Sequence, residues 1–176
     1  RWKSWKNGWV IEEVKRNYLE INSLHDLNEG NQPSEGYSLN LLDPINFQLN
    51  KFFYKNIGQK HKWTDRLIWT EQQWIEYVSS VKVKTYVLKY KDELVGYFEL
   101  IFHSTETEVE IAYFGILEEY QNKKLGSHLL SEAIKKSFDK NINRVWVHTC
   151  SLDHKNALNN YIARGMKIFK TETVII

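Results

Sequence analysis

The sequence predicts an α/β fold in the α+β sense, with one mixed, mostly antiparallel central sheet flanked by helices and a single domain over residues 1–176. Three observations predict it. Residues 83–102 show the period-two apolar alternation of paired strands. Residues 109–134, VEIAYFGILEEYQNKKLGSHLLSEAI, pass from an apolar strand through a polar loop into an amphipathic helix. The overall order is helices first, then a strand meander, then β-α-β-α-β, which lays helices on a sheet and leaves a ligand crevice near its strand ends.

The elements follow in chain order. Trp2, Trp5, Trp9, Val10, Ile11 and Val14 supply enough apolar surface for an early strand near residues 9–15. Residues 28–38 collect Asn, Gly, Pro, Ser and Glu and read as a loop. A helix starts at Pro44, offers Phe47, Leu49, Phe52, Phe53 and Ile57 to a core, and stops at Gly58. A second begins after Thr70, where Thr70 and Gln73 form a capping box ahead of Trp74, Ile75 and Val78. Val83, Thr85 and Val87 then alternate on one strand, and Leu94, Gly96, Phe98, Leu100 and Phe102 on the next, joined antiparallel by a polar turn at residues 90–93. A strand over 108–117, a helix over 127–140, a strand over 144–149, a helix over 153–163 capped by Asp153 or Ser151, and a strand over 167–176 complete the chain. Leu125, Leu129, Leu130, Ala133, Ile134 and Phe138 share one stripe, so the helix behind the polar loop lies against the sheet. Residues 1–80 thus form a strand and helices, and residues 81–176 the sheet and the core around it.

Composition narrows the function classes. The 24 Lys and Arg residues nearly balance the 22 Asp and Glu, so no nucleic-acid partner is expected. No apolar stretch reaches the roughly 18 residues of a membrane span, and no charged-then-apolar leader opens the chain, so no membrane partner is expected either. The single cysteine, Cys150, agrees with a reducing cytoplasm, the expected location. The start at Arg1 reads as trimmed, or as lying inside a longer product.

The chemistry concentrates in the polar loop. A helix N-terminus presents unpaired N–H groups and the positive end of the helix dipole, a setting that attracts phosphate. Gln121, Asn122, Lys123, Lys124, Leu125, Gly126 and Ser127 bring amides, two cations and a glycine to that terminus. This unit resembles the acetyl-coenzyme A binding motif of the GCN5-related N-acetyltransferases (GNAT superfamily), Gln/Arg-x-x-Gly-x-Gly/Ala. Gln121 and Gly126 fit it, and Lys124 stands where the family has its middle glycine. The resemblance continues over residues 144–166, where Asn156, Ala157, Tyr161, Gly165 and Met166 occupy places comparable to the family's Asn-x-x-Ala, tyrosine and Gly-Phe, with Ala157 directly after Asn156 and Met166 in place of the aromatic.

The resemblance implies a GNAT-like sheet with a cofactor crevice between its two central strands. It also implies an N-acetyltransferase, acetyl-CoA as co-substrate, a primary amine of a small molecule as acceptor, and direct attack in a ternary complex. Acylation of a protein or peptide amine, use of a longer acyl-CoA, and a non-catalytic CoA-binding module are the alternatives. A homodimer stays open, and no metal is expected. Direct transfer needs a base, oxyanion donors and an acid for the thiolate. Glu110, sharing its side of the strand with Ala112 and Phe114, is the first candidate base, and Glu99 on the neighbouring strand is the rival. Spacing alone makes Tyr161 a core aromatic; the family gives it the acid role. Phe114, Gly115 and Ile116 are the expected pantetheine contacts, with Gly115 marking a bulge or relieving packing. Asn156 is a further cofactor contact or a first-turn polar residue.

His148 and Cys150 project from one side of a strand, but a cysteine nucleophile needs a specific thiolate environment and a metal site a full ligand set, so the run 148–154 is read as strand end, turn and helix cap. In the first half, Phe52, Phe53, Tyr54, Trp63, Trp69, Trp74 and Tyr77 interleave with His61, Asp65 and Arg66. Most are core. Some enclose the acceptor if the family's arrangement holds, with Asp65 countering an ammonium or pairing with Arg66 or Lys62.

Overall fold

The computed structural model describes residues 2–5, 8–11, 13–103, 107–139 and 141–175. Period-two segments form strands and three-to-four-spaced segments form helices, in the order β1 Trp2–Trp5, β2 Gly8–Ile11, β3 Glu13–Ile21, β4 Tyr37–Leu41, α1 Phe47–Gly58, α2 Glu71–Ser79, β5 Val83–Tyr90, β6 Glu93–His103, β7 Glu108–Ile116, α3 Leu125–Ser137, β8 Arg144–Cys150, α4 Ala157–Ala163 and β9 Lys167–Ile175. β1 and β2 pair with each other. The other strands make one seven-stranded sheet, ordered β4-β5-β6-β7-β8-β3-β9. Every pairing in it is antiparallel except β7 with β8, which fits the predicted mixed sheet.

Each face of the sheet has its own cluster. On one, Leu125, Leu129, Leu130, Ala133 and Ile134 of α3 pack against Phe98, Leu100, Val109, Ile111, Val145 and Val147, as the helical stripe predicts. Each fully buried leucine there contributes about 1.5–3 kcal/mol. On the other, Phe53 and Ile57 of α1 pack on Val87, Tyr97 and Leu117, and Phe53 stacks on Tyr97 with ring centroids 4.8 Å apart. Thr70 caps α2 through the reciprocal capping box the sequence predicts.

Several boundaries move, each for a local reason. The early strand expected near residues 9–15 is divided between β2 and the start of β3, which runs on to Ile21. The β3 ladder with β9 shifts between Tyr18 and Leu19, which breaks the alternation a sequence pattern relies on. Glu12 and the side chains of residues 1–12 lie outside the described residues. β4 takes up the end of the predicted 28–38 loop as a half-exposed edge strand. α1 begins at Phe47 rather than Pro44 because the Asn46 side chain accepts the Gln48 N–H. α3 ends at Ser137, and the expected limits at Lys140 and Ile176 lie outside the described residues. α4 begins at Ala157, not at residue 153. Asp153 instead closes the preceding turn by accepting the Cys150 N–H at 3.0 Å and the Thr149 hydroxyl.

Candidate active site

The site begins where two parallel strands part. β7 and β8 pair only at residues 108–110 with 144–146, and beyond Glu110 and Trp146 their facing edges are not paired with each other. A cleft of about 990 Å³ lies along this opening, lined by residues 111–116 on one side and by Val147, His148 and Cys150 on the other. The bulge that helps to part them is at Ala112, since Glu99 pairs with Tyr113 but Leu100 with Ile111. It is not at Gly115. A Cβ there would stand 2.6 Å from Ile57 Cγ2, so that glycine makes room for α1.

One end of the cleft is built for an anion. Gln121 donates its side-chain amide to the Ile116 carbonyl at 2.8 Å and pins the loop to the strand. Asn122 and Lys124 are both left-handed, with φ of 64° and 60°. Lys124, standing where the resembling motif has glycine, therefore keeps a glycine-like backbone as the residue before α3, at a cost of roughly 1–2 kcal/mol. Gly126 and Ser127 line the cleft at the first turn of α3, and Leu125 buries its side chain beneath them. Lys123 does not line the cleft; its ammonium lies 5.5 Å from the Tyr120 ring centre.

Two further pieces complete this end. Gly30 donates to Ser131 Oγ at 2.8 Å and comes so close to α3 that a Cβ would meet Ser127 Oγ at 2.6 Å, which brings Asn31 to the cleft. Arg164, four residues beyond the Asn160 that bonds the Gly126 carbonyl, lines the cleft with its Nε buried and, among the described residues, without a hydrogen-bond partner. Asn156 lines the cleft just before α4. Composition alone marked residues 28–38 as a loop, and the tertiary docking that makes part of it a wall has no local signature.

Deeper in, Tyr161 is 6% exposed, its ring centre 6.4 Å from that of Phe114. Burial first, and then the Asp153 charge, hold its pKa well above that of a free phenol. Its hydroxyl makes no hydrogen bond among the described residues, and the residue lines the cleft as a neutral phenol.

The two candidate carboxylates part company. Glu99 is fully buried outside the cleft lining. It accepts from Arg66 Nη1 at 2.9 Å, the Tyr77 hydroxyl at 2.7 Å and Asn50 Nδ2 at 2.9 Å. Arg66 is enclosed by the rings of Tyr54, Trp69, Trp74, Tyr77 and Tyr113, with centroids 4.2–5.7 Å away, so most of the first-half aromatics surround this ion pair. Arg66 thereby takes Glu99, not Asp65, as its partner. Glu110, on the opening strand, lies 3.2 Å from His103 Nε2 and is also outside the cleft lining. Its backbone partner is Trp146, and two residues further along β8 the His148 side chain reaches the cleft within the field of the Glu110 charge. The surrounding protein and then the Arg16 charge lower the His148 pKa, so its ring is neutral near pH 7 although the residue is exposed.

His61 and His154, both in the cleft lining, pack edge to face with ring centres 6.0 Å apart. Cys150 is free, and burial raises its pKa and keeps the thiol protonated. Among the described residues, no group of three or more His, Cys, Asp or Glu side chains could hold a metal, and no helix is long and apolar enough to cross a membrane.

A model of the acetyltransferase (GNAT) family matches residues 46–166. No curated protein matches the chain. Among solved structures, a GCN5-related N-acetyltransferase from Sphaerobacter thermophilus superposes with a TM-score of 0.71 at 12% identity over 94% of this chain and 53% of that one. One from Kribbella flavida gives 0.64 at 14% identity over 92% and 56%. An aminoglycoside acetyltransferase from an uncultured soil metagenomic sample, in complex with trehalose, gives 0.61 at 12% identity over 74% and 88%. The chain thus spans little more than half the length of the first two.

Proposed function

The chain belongs to the acetyltransferase (GNAT) family, and from that premise we propose that it transfers the acetyl group of acetyl-CoA to a primary amine of a small molecule, by direct attack in a ternary complex. The observation that carries this reading is the parting of β7 from β8, because the edge at residues 114–116, apart from the Ile116 carbonyl that Gln121 already holds, offers its backbone groups to the pantetheine amides as it would to another strand. The same cleft ends in the N–H groups of the Gln121 to Ser127 loop and in the partnerless Nε of Arg164, which suit the phosphates of coenzyme A.

The acceptor half of the reaction falls to the other end. His148, neutral and on the cleft, takes a proton from the incoming ammonium, and Glu110 acts behind it through its charge rather than by touching the nitrogen. Glu99, already holding three hydrogen bonds, is left as a structural anion. Tyr161 gives its proton to the departing thiolate. The contact of His61 with His154 draws the two walls of the cleft together, which suits a small molecule better than a protein chain.

A free-thiol assay with acetyl-CoA tests the reading across amino acids, polyamines, amino sugars, aromatic amines and short peptides. Tyr161→Phe is expected to lower kcat by about 10²-fold or more while acetyl-CoA binding persists. Unchanged turnover in a folded variant removes Tyr161 from the reaction, and cofactor binding without transfer to any amine points to a CoA-binding module instead.

A further inference from the structure

Two opposite charges stand at the acceptor end, and the proton transfers above use neither of them. Arg16 sits on β3 as the backbone partner of Cys150 on β8 and of Glu172 on β9, and its side chain lines the cleft. Among the described residues its Nε is buried without a hydrogen-bond partner; its Nη1 approaches Glu172 only to 3.9 Å, and the Tyr18 hydroxyl is its other polar neighbour. Glu172 is engaged elsewhere, by the Tyr18 hydroxyl at 2.6 Å and by Lys170 at 3.4 Å. A guanidinium with donors to spare matches a carboxylate in shape as well as in charge.

Asp65 lines the same end from the segment between α1 and α2. Its neighbour Arg66 is turned inward to Glu99, and Asp65 itself makes no hydrogen bond or ion pair among the described residues. The remaining charges nearby are accounted for. Asp153 closes its turn, Glu110 contacts His103, and Lys62 stands exposed at the rim, where it adds to the positive side. Arg16, Asp65 and His148 all line this one cleft, and Arg16 is the backbone partner of Cys150, two residues along β8 from His148, so a cation, an anion and a proton acceptor share the cleft.

We propose that the acceptor is a small zwitterion, an amine that also carries a carboxylate, held by Arg16 through the carboxylate and by Asp65 through the ammonium; this assignment rests on the acyltransferase reading above. His148 removes one proton from the ammonium. The neutral nitrogen attacks the thioester carbonyl carbon and the carbon–sulfur bond breaks. Tyr161 protonates the sulfur, and the second proton lost by nitrogen replaces the one Tyr161 gave. The products are an N-acetylated carboxylate, the free thiol and one proton passed from His148 to solvent. The new amide carries no charge, so Asp65 loses its hold on it and release follows.

The test sets each standard amino acid against its decarboxylated amine, reading kcat/KM by thiol release and, in parallel, binding to the CoA complex by calorimetry. At least a tenfold preference for one or more carboxylate-bearing members is expected, expressed mainly in KM. Arg16→Gln should abolish that preference and Arg16→Lys should keep part of it, with CoA binding as the control for folding. Equal or better use of the decarboxylated partners, an unchanged ratio in Arg16→Gln, or failure of every amino acid both to react and to bind would overturn the assignment. Absence of acetyl-CoA binding would overturn the acyltransferase reading and this inference with it, whereas acetylation of amines without carboxylate preference would remove the inference alone.

Discussion

Arg66 and Arg16 serve the same protein in opposite ways. Arg66 is 6% exposed, with one buried carboxylate to pair with and five aromatic rings around it. Arg16 is half-buried beside a cleft, with an Nε that nothing in the described residues satisfies. A charge whose needs are met inside the fold is part of the scaffold. One left with donors unused is available to a ligand. The same contrast separates Glu99 from Asp65, and it sorts the acidic candidates better than strand position does.

The largest expected effect tests that contrast directly. Glu99→Gln leaves Arg66 buried without its counter-charge and is expected to cost about 3–5 kcal/mol in chemical denaturation. Arg16→Gln should change stability by no more than about 0.5 kcal/mol. Equal costs would break the comparison. A smaller effect sharpens it on the cleft side, since Lys124→Gly relieves a left-handed side-chain residue and should stabilise the fold by about 1 kcal/mol while weakening acetyl-CoA binding through the lost charge. A lower melting temperature in that variant would mean that Lys124 is held by contacts rather than strained.

The mildest test uses pH. Burial is the first cause lowering the pKa of His61, of His128 and of His148, so each ring binds a proton more readily in the unfolded chain. Stability is therefore complete above about pH 6.5, falls as pH drops through that value, and stops falling once the folded rings are protonated too. Melting curves from pH 7.5 to 5 should show this decline, with a shallower slope in His148→Gln. A slope unaffected by that change would place His148 in a less protein-like setting than its surroundings indicate.

What could be read from the sequence was local. The turn of Gln121 to Ser127, the stripe beneath it and the Thr70 cap all lie within a few residues of the chemistry they support, so spacing alone exposed them. The acceptor end was not local. Arg16 reaches it because β3 lands between β8 and β9, and Asp65 is free for it because Arg66 finds Glu99 across 33 positions of sequence. The pattern around Glu99 shows an acidic residue among apolar neighbours, which is the appearance of a base and of a buried ion pair alike. Gly115 carried a similar ambiguity, settled by a methyl group of Ile57 that belongs to a helix more than fifty residues upstream.

The position of β3 also bears on how the molecule is made. Its partners are β8 and β9, so Arg16 pairs with Cys150 and Glu172, both more than a hundred residues later in the chain. During synthesis the β5–β6 hairpin can form as it emerges, but β3 must wait for β8, more than a hundred residues later, before it has a neighbour in the sheet. The wall that carries Arg16 is thus assembled only after the central hairpin. An incomplete chain can hold the central hairpin, yet it cannot close this side of the cleft until β8 has left the ribosome.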